Sequence, residues 1–581
     1  MPNAFVDYLN SMNNADANAK GALAESQVTS PFYEKILVER GIGRVLLDWV
    51  QDSPRAIILT GHAGDGKTSL LAQVLRALNC LHPGQQLQES DEVQSPHGQR
   101  LFYVKDMSEL TKSRQTELLR KALDSPSHGV SSILVSNTGP LINTALKLMP
   151  NASADESNRL MMTLLDRMDD STPEPVDIAG KSCFIVNMAR VDNVAIASKA
   201  LTRLVQPELW EDCIKCDSNG ACPIKANRDA VWRNLSGVDH FSTAFYRYLY
   251  EHDKRLTVRQ ILAHLSYSIA GNLSCRDVPR LGPVPLYRYH FANLFFGCRG
   301  WEAIPRARQI RAISELQTLG IDSISLRSDY KLFVQHDYSV FDEKTAGILR
   351  ESYRLLERPR SPDQRSRSLL GHRRSVRRFY VLFANLSDNE RDALLGEVYS
   401  PIYPVYLKAK NNRIDLAETR YLRTIVFNAL YAIYVGIPPT TQDEIPLTIR
   451  QDHNTTQYVQ LMQGQVPAQD LSIKQVKSTN PIDPEATSYE LGLNIRSVED
   501  TIPLTYPLLD YFWRIANGAV DTTLSPSLSH GIDRLKARLL QEYSQPPHDG
   551  QREIQLLLQT NQGVKRVHCY FVDNNLHVEE A

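Results

Sequence analysis

The chain has 581 residues, and its 65 Lys and Arg nearly cancel 66 Asp and Glu, for a formal net charge of −1. Such a length exceeds one hydrophobic core and implies about three to five domains, while the charge balance excludes a molecule-wide attraction to nucleic acid, so any basic surface is local. No run approaches the roughly 18–20 apolar residues of a membrane span, the first residues lack a signal peptide's basic start and apolar core, and eight cysteines are too few for a disulfide framework, which together read as a cytoplasmic protein with reduced thiols and no membrane partner.

In chain order, residues 1–30 are polar and rich in Asn and Ala, a loose lead-in. Residues 31–51 have helical apolar spacing, so 1–54 reads as a helical N-terminal segment. Arg55–Thr60 is a short buried strand that runs into GHAGDGKTSLLAQVLRALN. There Gly61-His62-Ala63-Gly64-Asp65-Gly66-Lys67-Thr68 matches G-x-x-x-x-G-K-[ST] in full, followed by Ser69 and an amphipathic helix. Glycines at this spacing let successive backbone N–H groups turn inward onto phosphate oxygens, and the helix that begins here adds its positive end. Lys67 is placed to reach the β- and γ-phosphates of ATP, and the Thr68 hydroxyl to hold Mg²⁺.

Three further apolar runs, Leu101–Asp106, Ser132–Asn137 and Cys183–Asn187, alternate with helical patterns. That alternation predicts a parallel sheet covered on both faces. The third strand would ordinarily end in an acid, but here it ends in Asn137. Either Asp106 or Glu109, after the preceding strand, supplies the carboxylate, or nucleotide is bound and hydrolysed slowly. Asp106 also fits a plain strand-end acid that caps the next turn. Asn187 ends the fourth strand, where a polar residue can sense the γ-phosphate. Arg259 opens a later amphipathic helix, where a lid arginine would meet the phosphates. Each also fits an ordinary strand-end or surface residue.

From about 196 to 435 the pattern is helical. Cys213, Cys216 and Cys222 form C-x₂-C-x₅-C, a spacing that lets thiolates share one structural Zn²⁺. Cys275 is the first choice of fourth ligand and His240 the second. An iron–sulfur cluster, or simply buried free thiols, are the alternatives. Further on, Arg354, Arg358, Arg360, Arg365, Arg367, Arg373, Arg374, Arg377 and Arg378 face only Glu357 and Asp363. They read as a DNA-phosphate contact, as a solvated face or as a contact with an acidic partner subunit, and FYVLFANL, directly after, takes part of this helix into the core. Beyond about 440, PLTIRQ, QYVQLMQ, DLSIKQVK, REIQLLLQ and VHCYFVD read as strands, the last followed by an Asp-Asn-Asn turn.

The series GHAGDGKTSLL, VKDMSEL, ILVSNTGPLIN and CPIKAN resembles the F component of the DNA phosphorothioation-dependent restriction system, over roughly residues 55–230. The resemblance implies an ATP-binding subunit of bacterial antiphage defence that works with other defence-system subunits on invading DNA.

The expected fold is α/β, with an AAA+/ASCE-like P-loop NTPase domain over 55–195. A helical lid with the cysteine cluster follows over 196–300, a helical arginine-rich domain over 301–435, and a β-rich C-terminal domain over 436–581. The expected activity is an ATPase in a DNA restriction or antiphage complex, with homo-oligomerisation open. A nucleotide-controlled signalling switch, or a scaffold that holds ATP without turnover, are the other readings.

Overall fold

The computed structural model describes all residues except 1, 14–29, 83, 171, 219, 283, 358–360, 450–457, 500, 520–522, 545–552, 561–562, 573–574 and 581. The chain divides into two compact units, Met1–Leu394 with Thr479–Ala486, and Leu395–Ser478 with Thr487–Ala581.

The first unit is built on a mixed six-stranded sheet. Its strands are β1 (Ala56–Thr60), β2 (Ser90–Gln94), β3 (Arg100–Val104), β4 (Ser131–Val135), β5 (Pro175–Ile178) and β6 (Lys181–Asn187), in the order β2-β3-β4-β1-β6-β5. The four inner strands are parallel to one another, and the two edge strands run antiparallel. Consecutive residues of the inner strands enter two different cores. Ile57, Leu59, Tyr103, Ile133, Val135 and Val186 join one, and Ile58, Phe102, Val104, Leu134 and Ile185 join the other. Strand geometry sends successive side chains to opposite faces. The central positions of each inner strand are therefore apolar on both faces, and each strand carries a short continuous hydrophobic run, such as Ile57–Leu59, Leu101–Val104, Ile133–Val135 and Cys183–Val186. One face is covered by helices α2 (Gly41–Asp52) and α3 (Lys67–Ala77), the other by α4 (Lys112–Asp124), α5 (Thr138–Lys147) and α6 (Ala154–Asp169). The result is α/β, as the alternation of patterns implies. The edge strands β2 and β5 escape a hydrophobicity reading because SDEVQ and PVDI carry charge on their exposed faces.

Two local departures from expectation have clear causes. Ala4–Met12 is no loose lead-in but a helix, α1, capped by the Asn3 side chain. Phe5, Val6, Leu9 and Met12 recur at helical spacing and are buried, a stripe diluted in the sequence by Asn and Asp. The expected helix over 31–51 is interrupted. A short turn, Tyr33–Ile36, precedes α2, and residues 37–40 between them are extended. The Gln73 side chain of α3 holds that extended strip at Arg40, accepting from its N–H at 3.3 Å and donating to its carbonyl at 3.2 Å. Tertiary hydrogen bonds of this kind override local helical spacing.

The helical part of the first unit includes α7 (Val194–Val205), α8 (Pro223–Arg233), α9 (Leu235–Glu251), α10 (Val258–Ala270) and α11 (Pro362–Phe383). Much of the arginine stretch lies on α11. Arg377 donates to Asp329 at 3.0 Å, and Arg378 to Asp322 at 2.7 Å and to the Gly300 carbonyl at 3.1 Å, all buried or half-buried. Arg373 lies over the Phe333 ring. These arginines hold the helix in its core, whereas Arg365 and Arg367 are exposed on its first turns. Arg358 and Arg360 lie outside the described residues.

In the second unit, the helix Leu416–Val435 and a five-stranded antiparallel sheet are the main elements. The sheet runs Asn575–Glu580, Gly563–Val572, Ile554–Thr560, Val459–Pro467, Glu444–Ile449 in spatial order. A three-stranded sheet pairs Leu471–Asn480, Asp483–Ile495 and Ile502–Pro503. The Asp-Asn-Asn turn begins in residues 573–574, outside the described set. Among the described residues, no helix is long and apolar enough to cross a membrane.

Because Arg378 is nearly sealed from solvent, removing its counter-ion strands a buried charge. Asp322→Ala is expected to destabilise the first unit by about 3–5 kcal/mol. Chemical denaturation followed by tryptophan fluorescence would show an early transition; a shift under about 1 kcal/mol would contradict the buried-pair reading.

Candidate functional site

The loop between β1 and α3 is shaped by a carboxylate that solvent does not reach. Asp65 is fully buried. One of its oxygens accepts the His62 N–H at 2.9 Å, and the other pairs with the Arg255 guanidinium at 2.9 Å. Arg255 also donates to the Met188 and Val191 carbonyls. From the opposite direction Arg40 donates to the Asp65 carbonyl at 3.1 Å and to Asn193 at 3.1 Å. Burial, the largest influence, lowers the Arg40 guanidinium to about 10, against opposing attraction from Asp483 and Asp65. A carboxylate at the loop's centre paired with Arg255, and a backbone carbonyl at the same residue held by Arg40, fix the path of the loop from two sides.

Gly64 and Gly66 have φ of +90° and +83°, a region that costs residues bearing a Cβ about 1–2 kcal/mol. Gly64 is needed for a second reason. Its carbonyl accepts the Arg259 N–H at the start of α10, and a Cβ there would lie 3.0 Å from the Arg259 Cβ.

Lys67 opens α3 and is buried. Its Nζ donates to the Gly61 carbonyl at 3.1 Å, the His62 carbonyl at 2.8 Å and the Asn137 side-chain oxygen at 2.9 Å. Burial lowers its pKa, opposed first by the Asp106 charge and then by that of Asp65. Asp106 ends the loop after β3 and accepts the Ser108 N–H at 2.8 Å, and the Ser108 hydroxyl accepts the Asn137 N–H at 2.8 Å. Asp106 thus both caps the next turn and faces Lys67.

These groups line one cavity of about 380 Å³. Its polar lining includes Gly64, Gly66, Lys67, Thr68, Ser69, Asp106, Glu109, Asn137 and Arg259. Burial alone lowers the Arg259 pKa. Its less polar lining includes Tyr8 of α1, Tyr33, Ile36 and Val38 before α2, Ile196 and Ala200 of α7, and Val258 and Leu262 of α10. Parallel strands bring their carboxyl ends to one side of a sheet, where ligands of open α/β sheets bind, and here the loops after β1, β3 and β4 meet.

Of the residues expected from sequence, Gly64, Gly66, Lys67, Thr68, Ser69, Asp106, Glu109 and Arg259 come together, with Ala63 at the rim. Gly61 and His62 contribute the carbonyls that hold Lys67. Asn187 does not join them. Its amide donates to the Met168 carbonyl and its oxygen accepts the Ala189 N–H, so it serves the turn after β6. Asn137 takes the position beside Lys67. β4 is the neighbour of β1 on that side, which a linear reading does not reveal. Arg40, Arg255, Tyr8 and Tyr33 carry no signal in the linear sequence, since their neighbourhoods hold no motif.

The cysteines form a second locus. Cys213, Cys216, Cys222 and Cys275 line one small cavity of about 20 Å³. Burial raises the thiols of Cys213, Cys222 and Cys275. Among the described residues, no group of three or more His, Cys, Asp and Glu side chains has the geometry to hold a metal ion, so the thiols share a cavity without forming a coordination shell. His240 does not line it; burial lowers this imidazole, and the charges nearest to it are Asp392 and Arg391.

Placing a methyl group at Gly64 would push the start of α10 off the loop. Gly64→Ala is expected to destabilise the first unit by roughly 1–2 kcal/mol through backbone strain alone. Chemical denaturation reads the change, and wild-type stability in the variant would show that the contact is dispensable. No protein-family model, curated protein or solved structure matches this chain.

Proposed function

We propose that the chain binds ATP with Mg²⁺ in the 380 Å³ cavity and hydrolyses it, as the nucleotide-driven subunit of a multi-component DNA restriction or antiphage complex. The observation that carries the chemistry is the meeting of Lys67, Asn137, Asp106 and Arg259 around a glycine loop at a helix N-terminus. The defence setting rests on the resemblance of the segments GHAGDGKTSLL, VKDMSEL, ILVSNTGPLIN and CPIKAN.

In this reading the triphosphate lies along the loop, where amide N–H groups and the start of α3 supply positive potential. Lys67, held by carbonyls at the loop's mouth, transfers its hydrogen bonds to the β- and γ-phosphate oxygens. The Thr68 hydroxyl and the Asp106 carboxylate are the hard oxygen donors that would hold Mg²⁺, and the ion supplies neutralisation of the phosphate charge. Asp106, one strand beyond β4, answers the missing acid on β4 and orients the attacking water. Asn137 takes the γ-phosphate-sensing role expected of Asn187. Arg259 stabilises charge on the transferred group from the α10 side. The base packs against the aliphatic lining of the cavity, between Ile36, Val38, Val258 and Leu262. Because α10 hydrogen-bonds the loop through Gly64, occupancy of the loop is transmitted to the helices behind it. That contact equally serves a signalling switch, the second reading. DNA, if touched directly, would meet Arg365 and Arg367, which the α11 core does not use.

Lys67→Ala is expected to abolish nucleotide binding, a loss of at least about 100-fold, while circular dichroism stays unchanged; retained affinity would remove the assignment. Asp106→Asn should keep nucleotide and lose turnover by about 10²–10⁴-fold. A wild type that holds ATP without turning it over would point to the scaffold reading. Turnover stimulated by duplex DNA and neighbouring operon products supports the restriction complex, and ATP-triggered oligomers indifferent to DNA support the switch.

A further inference from the structure

We propose that the four-thiol cavity is a structural zinc site that braces α1, and through α1 one wall of the larger cavity. Four of the chain's eight cysteines converge on it from separate places in the fold. Cys213 closes the 3₁₀ turn Glu211–Cys213, Cys216 lies in the loop, Cys222 caps α8, and Cys275 follows α10. The other four, Cys80, Cys183, Cys298 and Cys569, do not line it. Chance burial of small apolar side chains scatters thiols through a core; it does not assemble four around one void. The void, about 20 Å³, has room for a single water-sized occupant.

Cys222 occupies the N-cap position of α8, beside Ile224 and Lys225, which also line the void. Tetrahedral coordination at about 2.3 Å per Zn–S bond brings the sulfurs to roughly 3.8 Å from one another. Among the described residues the thiols do not stand in a coordination geometry, so zinc binding requires the four side chains to converge on the void they line. All four positions filled by protein make a closed shell, the arrangement of structural and not catalytic zinc.

The occupant's mechanical role follows from Asn3. Its side chain donates to the Leu209 carbonyl at 3.0 Å and to the Cys213 sulfur at 3.4 Å, and its backbone carbonyl accepts from Cys275. Asn3 and Val6 line the thiol cavity, and Tyr8, on the same helix, lines the larger one. An ion that draws Cys213 and Cys275 together therefore fixes the helix that carries Tyr8.

The test is metal analysis of the full chain purified under reducing conditions, then chelation and titration with Zn²⁺ alone. About one zinc per chain is expected, with a rise in melting temperature on restoring zinc to the chelated protein. The double variant Cys216→Ser/Cys275→Ser should fall to near zero zinc, while Cys80→Ser/Cys569→Ser keeps it. A wild-type melting curve indifferent to zinc, or zinc retained by the first double variant, would overturn the proposal. The metal count is read without nucleotide, so its failure and a failure of the ATP reading are distinguishable.

Discussion

A carboxylate sealed from water organises the glycine loop. Buried away from water, the Asp65 carboxylate is tolerated because Arg255 and a loop N–H meet it directly, and a buried ion pair is costly to break by removing one partner. Its position fixes more than its own residue. The two arginines that approach the loop arrive from opposite sequence directions, Arg40 from before β1 and Arg255 from before α10; Arg40 also binds the Asn193 side chain, and Arg255 the Val191 and Met188 carbonyls. The loop is thus the point at which the N-terminal strip, the turn after β6 and the helical segment are joined. A position held this firmly presents its amides as a fixed array, and preorganised donors do not have to reorganise when an anion arrives.

The sequence disclosed much of this. Four parallel strands were legible because burial on both faces makes each an apolar run, and the loop was legible because its glycines and Lys67 stand at fixed spacing. Three kinds of feature were hidden. Edge strands such as Ser90–Gln94 bury little and carry no hydrophobic pattern. The extended strip before α2 owes its form to Gln73, 33 residues away. The exchange of Asn187 for Asn137 depends on spatial strand order, since β1 has β4 and β6 as neighbours and the linear sequence does not say which points its last residue at Lys67. The arginine stretch was legible as charge and misleading as surface, because Arg377 and Arg378 are matched by Asp329 and Asp322 from a segment some 50 residues earlier.

The two cavities share a design. Each is walled by elements far apart in the chain, and α1 contributes to both. Such sites report on the integrity of the whole first unit, because no single supersecondary motif contains them. The strand–loop–helix motif supplies much of the polar lining of the larger cavity, and its aliphatic lining comes from elsewhere. In the proposed reading, affinity for the phosphate portion of a ligand and selectivity for the rest of it would therefore depend on different parts of the sequence.

The position of α1 also bears on the order in which the chain acquires its shape. Asn10 donates to the Leu273 carbonyl across 263 residues, and Asn3 reaches Leu209 across 206. Joining ends separated by that much unfolded chain costs more entropy than closing the short crossovers of the sheet. On a ribosome, residues 2–13 emerge long before the segments near residues 209 and 273 that hold them. A helix synthesised well ahead of its partners is among the last to find its place.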